Sequence, residues 1–307
     1  MNWYGKRYYS YGAFLKNKFG SKVGKISVDG GFTCPNRDGT ISKNGCIFCS
    51  PRGSGDFCYD NNLSVTKQIE NAIKNHFSKW KDKKIVIYFQ AYTNTYASID
   101  LLKKKYEEAL SFPNVVGLSI ATRPDCINND TVELLKDYSK DYLIFVELGL
   151  QSIHKKTALY INRGYDLSAF NKAIKVLDDA NLNTVVHLIF GLPNETQGEM
   201  IESIKYIAKL PINGVKMQLL YILKDTPLEK IYKETKIDIM TQEEYVMLIC
   251  NALSYLPENF IIHRLTGDAP KEQLLAPTWS KNKRLILNDI DKYLLLNNLK
   301  QGIRNSL

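Results

Sequence analysis

Cys34, Cys46 and Cys49 are the residues of this chain best suited to chemistry. They stand in the stretch GFTCPNRDGTISKNGCIFCS, with eleven residues between the first two and two between the last pair. Three thiolates on a small Gly-rich loop can hold an iron-sulfur cluster with one iron left open for a further ligand. Phe48 places an aromatic ring inside the CxxC pair. The inorganic rival is zinc, because CxxC is also a common half-site for a tetrahedral ion and Cys58 follows nine positions after Cys49. Position argues for the cluster: the loop follows the apolar run KISVD, where a barrel enzyme carries a catalytic loop and a structural zinc knob is out of place. Cys126 and Cys250 read as isolated core thiols.

The elements that must position this loop follow from periodicity. Apolar runs near 25–29, 84–91, 115–121, 142–150, 183–190 and 214–221 alternate with amphipathic stretches near 64–80, 98–111, 129–139, 166–181 and 195–209. That alternation marks successive βα units on a parallel sheet. Beyond 226 the pattern is mostly helical, with Pro227, Pro257, Pro270 and Pro277 as breaks. Within the strands the polar residues keep one parity. Gly117, Ser119, Ala121 and Arg123 oppose Val116, Leu118 and Ile120; Phe145, Glu147, Gly149 and Gln151 oppose Ile144, Val146, Leu148 and Leu150. Lys216 and Gln218 share a face, and Gln90 and His187 fall late in their strands. A partly closed barrel aims such faces into a lumen and rim, whereas an open sheet covered on both sides favours continuous apolar strands. The expected division is a basic aromatic extension over 1–24, a barrel core over 25–225 and a mostly helical region over 226–307.

Six cysteines without an export signal argue against a disulfide framework, and no run of about 18 apolar residues occurs, so a soluble cytoplasmic protein is expected. Lysine and arginine exceed the acids by 41 to 32, giving +9. Residues 1–25 carry Lys6, Arg7, Lys16, Lys18, Lys22 and Lys25 with no acid, interleaved with Trp3, Tyr4, Tyr8, Tyr9, Tyr11, Phe14 and Phe19. Cations attract phosphates and aromatic faces stack on bases, which suggests RNA. The competing reading is a solvated basic surface whose aromatics pack on the barrel.

The CxxC with its internal aromatic, the upstream cysteine and six βα units resemble the radical S-adenosylmethionine (SAM) superfamily. The eleven-residue gap resembles the branch of the Elongator catalytic subunit. The words GFTCPNRDGT, GCIFCS, GSGDF, YFQAYTNTYA, ATRPD, VELGLQS, NRGYD, HLIFGLPNET and HRLTGDAP resemble the bacterial YhcC/YtqA group from about Tyr8 to Trp279. The resemblance implies a partial (βα)6 TIM-like barrel. It implies a [4Fe-4S] cluster on Cys34, Cys46 and Cys49 whose fourth iron takes SAM, so that one electron yields a 5′-deoxyadenosyl radical that abstracts hydrogen from substrate. Phe48 would approach the adenine. Gln90, Thr93 and Asn94, in QAYTNTYA, would replace the family's Gly-Gly-Glu loop.

The polar faces supply further candidates. Glu147 would bind the SAM ribose or amino group, or else be a buried partner for Arg123 or Lys216. Arg163 would clamp the methionine carboxylate, or cap a helix ended by Gly164. His187 would face SAM or substrate, Gly191 would bring backbone to the adenine, and Arg37 would shape the cysteine loop or balance its charge. Lys216, His263, Arg264 and Asp268 are the candidate substrate contacts. The expected function is modification of tRNA at the C5 side chain of the wobble uridine, in the 5-methylaminomethyl-2-thiouridine (mnm5s2U) pathway, with an electron donor such as a flavodoxin or ferredoxin. The alternatives are a radical enzyme acting on a small molecule or protein, and a non-catalytic zinc-containing RNA-binding module.

Overall fold

Alternation along the strands decides the sheet. In the computed structural model, which describes residues 1–76, 83–235 and 237–305, β1 (Gly24–Val28), β2 (Ile85–Phe89), β3 (Val115–Thr122), β4 (Leu143–Gln151), β5 (Asn183–Phe190) and β6 (Gly214–Leu219) lie side by side in chain order, all parallel. A seventh parallel strand, β8 (Ile261–Arg264), pairs with β6 and extends the expected six. The curled sheet is a half-barrel with β1 and β8 as its edges. Helices α2 (Val65–His76), α3 (Ile99–Leu110), α4 (Asn129–Tyr138), α6 (Leu167–Asp179) and α7 (Gln197–Ile207) carry the chain between strands. They match the expected stretches, except that residues 77–80 of the first lie outside the described residues.

Ile144, Val146, Leu148 and Leu150 point outward into the core under these helices, as the alternation requires. The opposite parity holds Phe145 and Glu147 in the lumen. The expected parity fails at one place. Ile85 pairs with Val115 but Val86 with Gly117, so Val116 is a bulge residue and joins the lumen cluster instead of the set of Leu118 and Ile120.

The N-terminal end of the half-barrel is closed by α1 (Tyr11–Phe19), which the strand and helix patterns did not anticipate. Ser10 caps it, and Gly20 ends it with φ 73°. Tyr9, Ala13 and Leu15 pack against Val86, Leu143, Phe145, Val185 and Ile261. The Tyr11 ring stacks on His263 at 4.3 Å, and Phe14 meets Phe145 edge-on at 5.7 Å. Tyr9, Tyr11, Phe14 and Phe19 therefore pack at the barrel end and Tyr8 in the main core, as the competing reading required, while Tyr4, Lys16, Lys18 and Lys22 stay exposed.

After β6 come β7 (Ile222–Leu223) and β9 (Leu274–Ala276), an antiparallel pair, with α8 (Pro227–Glu234) and α9 (Gln242–Tyr255) between them. α10 (Lys283–Leu296) packs on α9 through Ile286, Ile290 and Leu294. The remaining helix, α5 (Lys155–Tyr160), is a short turn after β4.

Candidate active site

The cysteine loop crosses the C-terminal end of the strands, at the opposite end from α1, and its conformation is held by contacts to the turn after α5. Asn36 Nδ2 donates to the Asn162 carbonyl at 2.6 Å, Asn162 Nδ2 donates to the Gly45 carbonyl at 2.7 Å, and the Ile47 amide donates to the Ile161 carbonyl at 3.1 Å. Gly164, at φ 80°, permits this approach: a Cβ there would lie 3.0 Å from Asn36 Oδ1. The words GFTCPNRDGT and NRGYD, far apart in the chain, are thus one unit. Arg37 donates to the Cys49 and Ser50 carbonyls at 2.7 and 2.8 Å, which shapes the CxxC turn, where the Cys49 amide donates to the Cys46 carbonyl at 3.0 Å.

Cys34, Cys46 and Cys49 are free thiols that line one cleft of about 240 Å³ together with Phe48. Burial pushes the Cys46 thiol up to about 12, and the Cys49 and Cys34 thiols add to it. Such a set forms thiolates only when a cation repays their desolvation, which suits iron. Cys58 is buried off the cleft wall, so a fourth thiol does not join the three. Among the described residues no three His, Cys, Asp or Glu converge on a single ion. The donor set fits a cluster, in which each thiolate takes a different iron.

The cleft floor is organised by Glu147, which is fully buried. Its Oε1 accepts from Lys25 Nζ at 3.0 Å and from the Ser119 hydroxyl; its Oε2 accepts from His187 Nε2 at 2.8 Å and from Lys216 Nζ. Burial alone would raise this carboxyl, but the Lys216 and Lys25 ammoniums and His187 hold it well below the usual range. Burial, followed by Lys216, pushes His187 down to about 4, so the ring is neutral and its second nitrogen is an acceptor. Tyr88 lies between the two lysines, 3.9 and 4.1 Å from its ring centroid. Lys25, Ser119 and Tyr88 were not among the expected site residues. Their signal was available for Lys25, a lone cation at an alternating position between apolar strand residues.

Several expected roles change. Glu147 takes the paired reading, with Lys25, Lys216, His187 and Ser119 as partners, so its oxygens are not open to ribose. Arg163 is buried, and four of the five N–H donors of its guanidinium go to the carbonyls of Leu150, Ser152 and Tyr165 at 2.6 to 3.1 Å, which ties the end of β4 to the turn rather than clamping a carboxylate. Asn94 donates to the Ala121 carbonyl at 2.8 Å and lies off the cleft wall. Gly191 also lies off the wall, its N–H turned to Met200 Sδ at 3.4 Å. His263 is sandwiched beneath the floor by Tyr11 and Phe145, outside the cleft. Gln90 lines the cleft but spends its amide on the Ser54 carbonyl at 2.7 Å. Thr93, His187, Lys216, Arg264 and Asp268 line the cleft.

Three free thiols over a charged barrel lumen coincide with two family matches. A model of the radical SAM superfamily covers residues 38–207, and one of the radical SAM C-terminal domain covers 212–295. The chain belongs to the radical SAM superfamily. Its cofactors are a [4Fe-4S] cluster and SAM. This radical SAM chain is 43% identical over 289 residues to the protein YtqA of Bacillus subtilis, covering 94% of this chain and 90% of that one. It is 34% identical to YhcC of Escherichia coli K12, covering 92% and 91%. The fold resembles the solved Elp3 of Methanocaldococcus infernus, with a TM-score of 0.64 at 20% identity over 91% of this chain and 64% of that one. No helix among the described residues is long and apolar enough to cross a membrane.

Proposed function

We propose that this radical SAM enzyme acts on tRNA, at the C5 side chain of the wobble uridine in the mnm5s2U pathway, with Cys34, Cys46 and Cys49 holding the cluster. The observation that carries the reading is three free thiols on the mouth of a cleft with a cationic floor. Together the cluster and SAM supply one-electron cleavage of a carbon–sulfur bond and hydrogen abstraction from the substrate. In this reading Asn36 and Arg37 hold the thiols in place, Phe48 offers an apolar wall to the adenine, and Thr93 faces SAM. Glu147 fixes the orientation of His187 and Lys216 at the floor. An electron donor of the flavodoxin or ferredoxin type would dock near the cysteine loop.

The tRNA substrate is supported by the resemblance to the Elongator branch, the net charge of +9 and the exposed lysines of α1. The aromatics of residues 8–14 no longer support it, since they are spent in the barrel. The cleft opens to a small molecule as well as to an extruded base, which keeps a radical enzyme on a small substrate as the second reading. Comparing the modified nucleosides of tRNA from cells with and without the gene tests the proposal. Loss of one wobble-uridine derivative with accumulation of its precursor supports it. An unchanged nucleoside profile, with SAM cleavage intact in the purified protein, favours the second reading.

A further inference from the structure

Each carboxylate of the lower cleft is outnumbered by cations. Glu147 stands against Lys25 and Lys216, and His187 beside it is neutral. Asp268 is shared by Lys283 at 2.6 Å and Arg264 at 3.6 Å. Lys216 and Arg264 line the cleft beside Glu147 and Asp268, while Lys25 and Lys283 reach the same two carboxylates from outside its wall.

The unspent capacity lies on one wall. Arg264, on β8, has Asp268 as its one ion pair among the described residues, at a distance too long for a good hydrogen bond, and lines the cleft. Its register neighbour on β6 is Lys216, and Gln218 lies two residues further along the same face. The Gln218 side chain lines the cleft and, among the described residues, its amide makes no hydrogen bond. Tyr221 also lines the cleft, with its hydroxyl turned towards Thr266 and Gly267. A fork of guanidinium donors beside an amide suits an oxyanion.

We infer that the wall formed by Arg264 and Gln218 binds an oxyanion of the substrate, a carboxylate or a phosphate. SAM would be held at the cysteine loop, whose own cationic neighbours are Arg37 and Arg123, whereas Arg264 lies on β8. The inference rests on the radical SAM reading only in placing substrate, rather than another ligand, in this part of the cleft. It names the chemical feature by which the substrate is recognised.

Calorimetric titration of the SAM-loaded holoenzyme with acetate, and separately with inorganic phosphate, tests the inference. One saturable site for at least one of the two is expected. Arg264→Gln should weaken it at least tenfold, Arg264→Lys should restore part of the loss, and Lys281→Gln, at an exposed position, should bind as the wild type does. Tighter acetate binding identifies a carboxylate, and tighter phosphate binding identifies a phosphate ester. If Arg264→Gln fails to fold, Gln218→Leu replaces it, with weakened binding again expected. Absence of saturable binding in the wild type, or binding that Arg264→Gln leaves within twofold, overturns the site. SAM cleavage by the same wild-type preparation is read separately, so a failure of the radical reading is told apart from a failure of the oxyanion site.

Discussion

Asn36 and Asn162 lock the cysteine loop to the turn after α5, across 126 residues of sequence, with the Asn36 amide on the Asn162 carbonyl at 2.6 Å. Asn36 Nδ2 also approaches Cys46 Sγ at 3.6 Å, so the residue that anchors the loop touches a thiol as well. The turn thus acts on cluster binding through the loop.

Asn162→Ala removes the donor to the Gly45 carbonyl and should cost about 1–3 kcal/mol, the usual penalty for a hydrogen-bonding group left without its partner. Reconstituted iron per chain should fall together with the melting temperature. Iron content and melting equal to the wild type would contradict the coupling.

Gly164→Ala puts a Cβ 3.0 Å from Asn36 Oδ1 and 3.1 Å from Ile41 Cγ2, at a φ of 80° that L side chains rarely adopt. The left-handed backbone alone should cost about 1–2 kcal/mol. Loop displacement should lower iron retention further, measured by iron and sulfide analysis after gel filtration. Full retention would show that the loop absorbs the methyl group.

Cys46→Ala should abolish reductive SAM cleavage and most of the bound iron, as monitored by 5′-deoxyadenosine formation. Cys58→Ala, off the cleft wall, should keep both. Iron lost equally in the two variants would restore the four-thiol alternative.

Glu147→Leu leaves Lys25 and Lys216 buried around an apolar group, and removing one partner of a buried pair typically costs about 3–5 kcal/mol. The urea midpoint should fall accordingly. Adding Lys216→Met should recover a large part of the loss, since the second uncompensated charge is then gone. A double variant no more stable than the single one would show that the floor is not limited by charge.

His187 has a folded pKa of about 4, below its ordinary 6.5, so the unfolded chain binds more protons between those values. Stability from this group is therefore complete above pH 6.5 and is lost as the pH falls towards 4. The loss is on the order of 3 kcal/mol from the size of the shift. Glu147, with its pKa also held down, adds loss in the same direction at still lower pH. Melting temperatures recorded from pH 7.5 to 4.5 should show this fall, and His187→Gln should flatten it. An equally steep fall in the variant would assign the acid sensitivity elsewhere.

The six strands, their polar lumen face and the three thiols were legible along the chain, because side-chain period and ligand spacing are local properties. Val116 escaped that reading, since a bulge shifts parity by one residue and leaves no local trace. β8 escaped it too: four residues within a helical region show little periodicity, and only pairing with β6 makes them a strand.

For the opening cysteines, sequence alone determined the ligand type, their place after the first strand and the family to which they belong. Tertiary structure decided which other residues serve them. Arg163, Asn94 and His263 carry the side chains that a cofactor or substrate site needs, yet folding commits them to backbone carbonyls and aromatic faces. Glu147 shows the same limit in reverse: its residue type marked it as special, but only the curl of the sheet brings Lys25, His187 and Lys216 to a single carboxylate. Hydrogen-bond capacity is finite, and which groups consume it is fixed by distance in space.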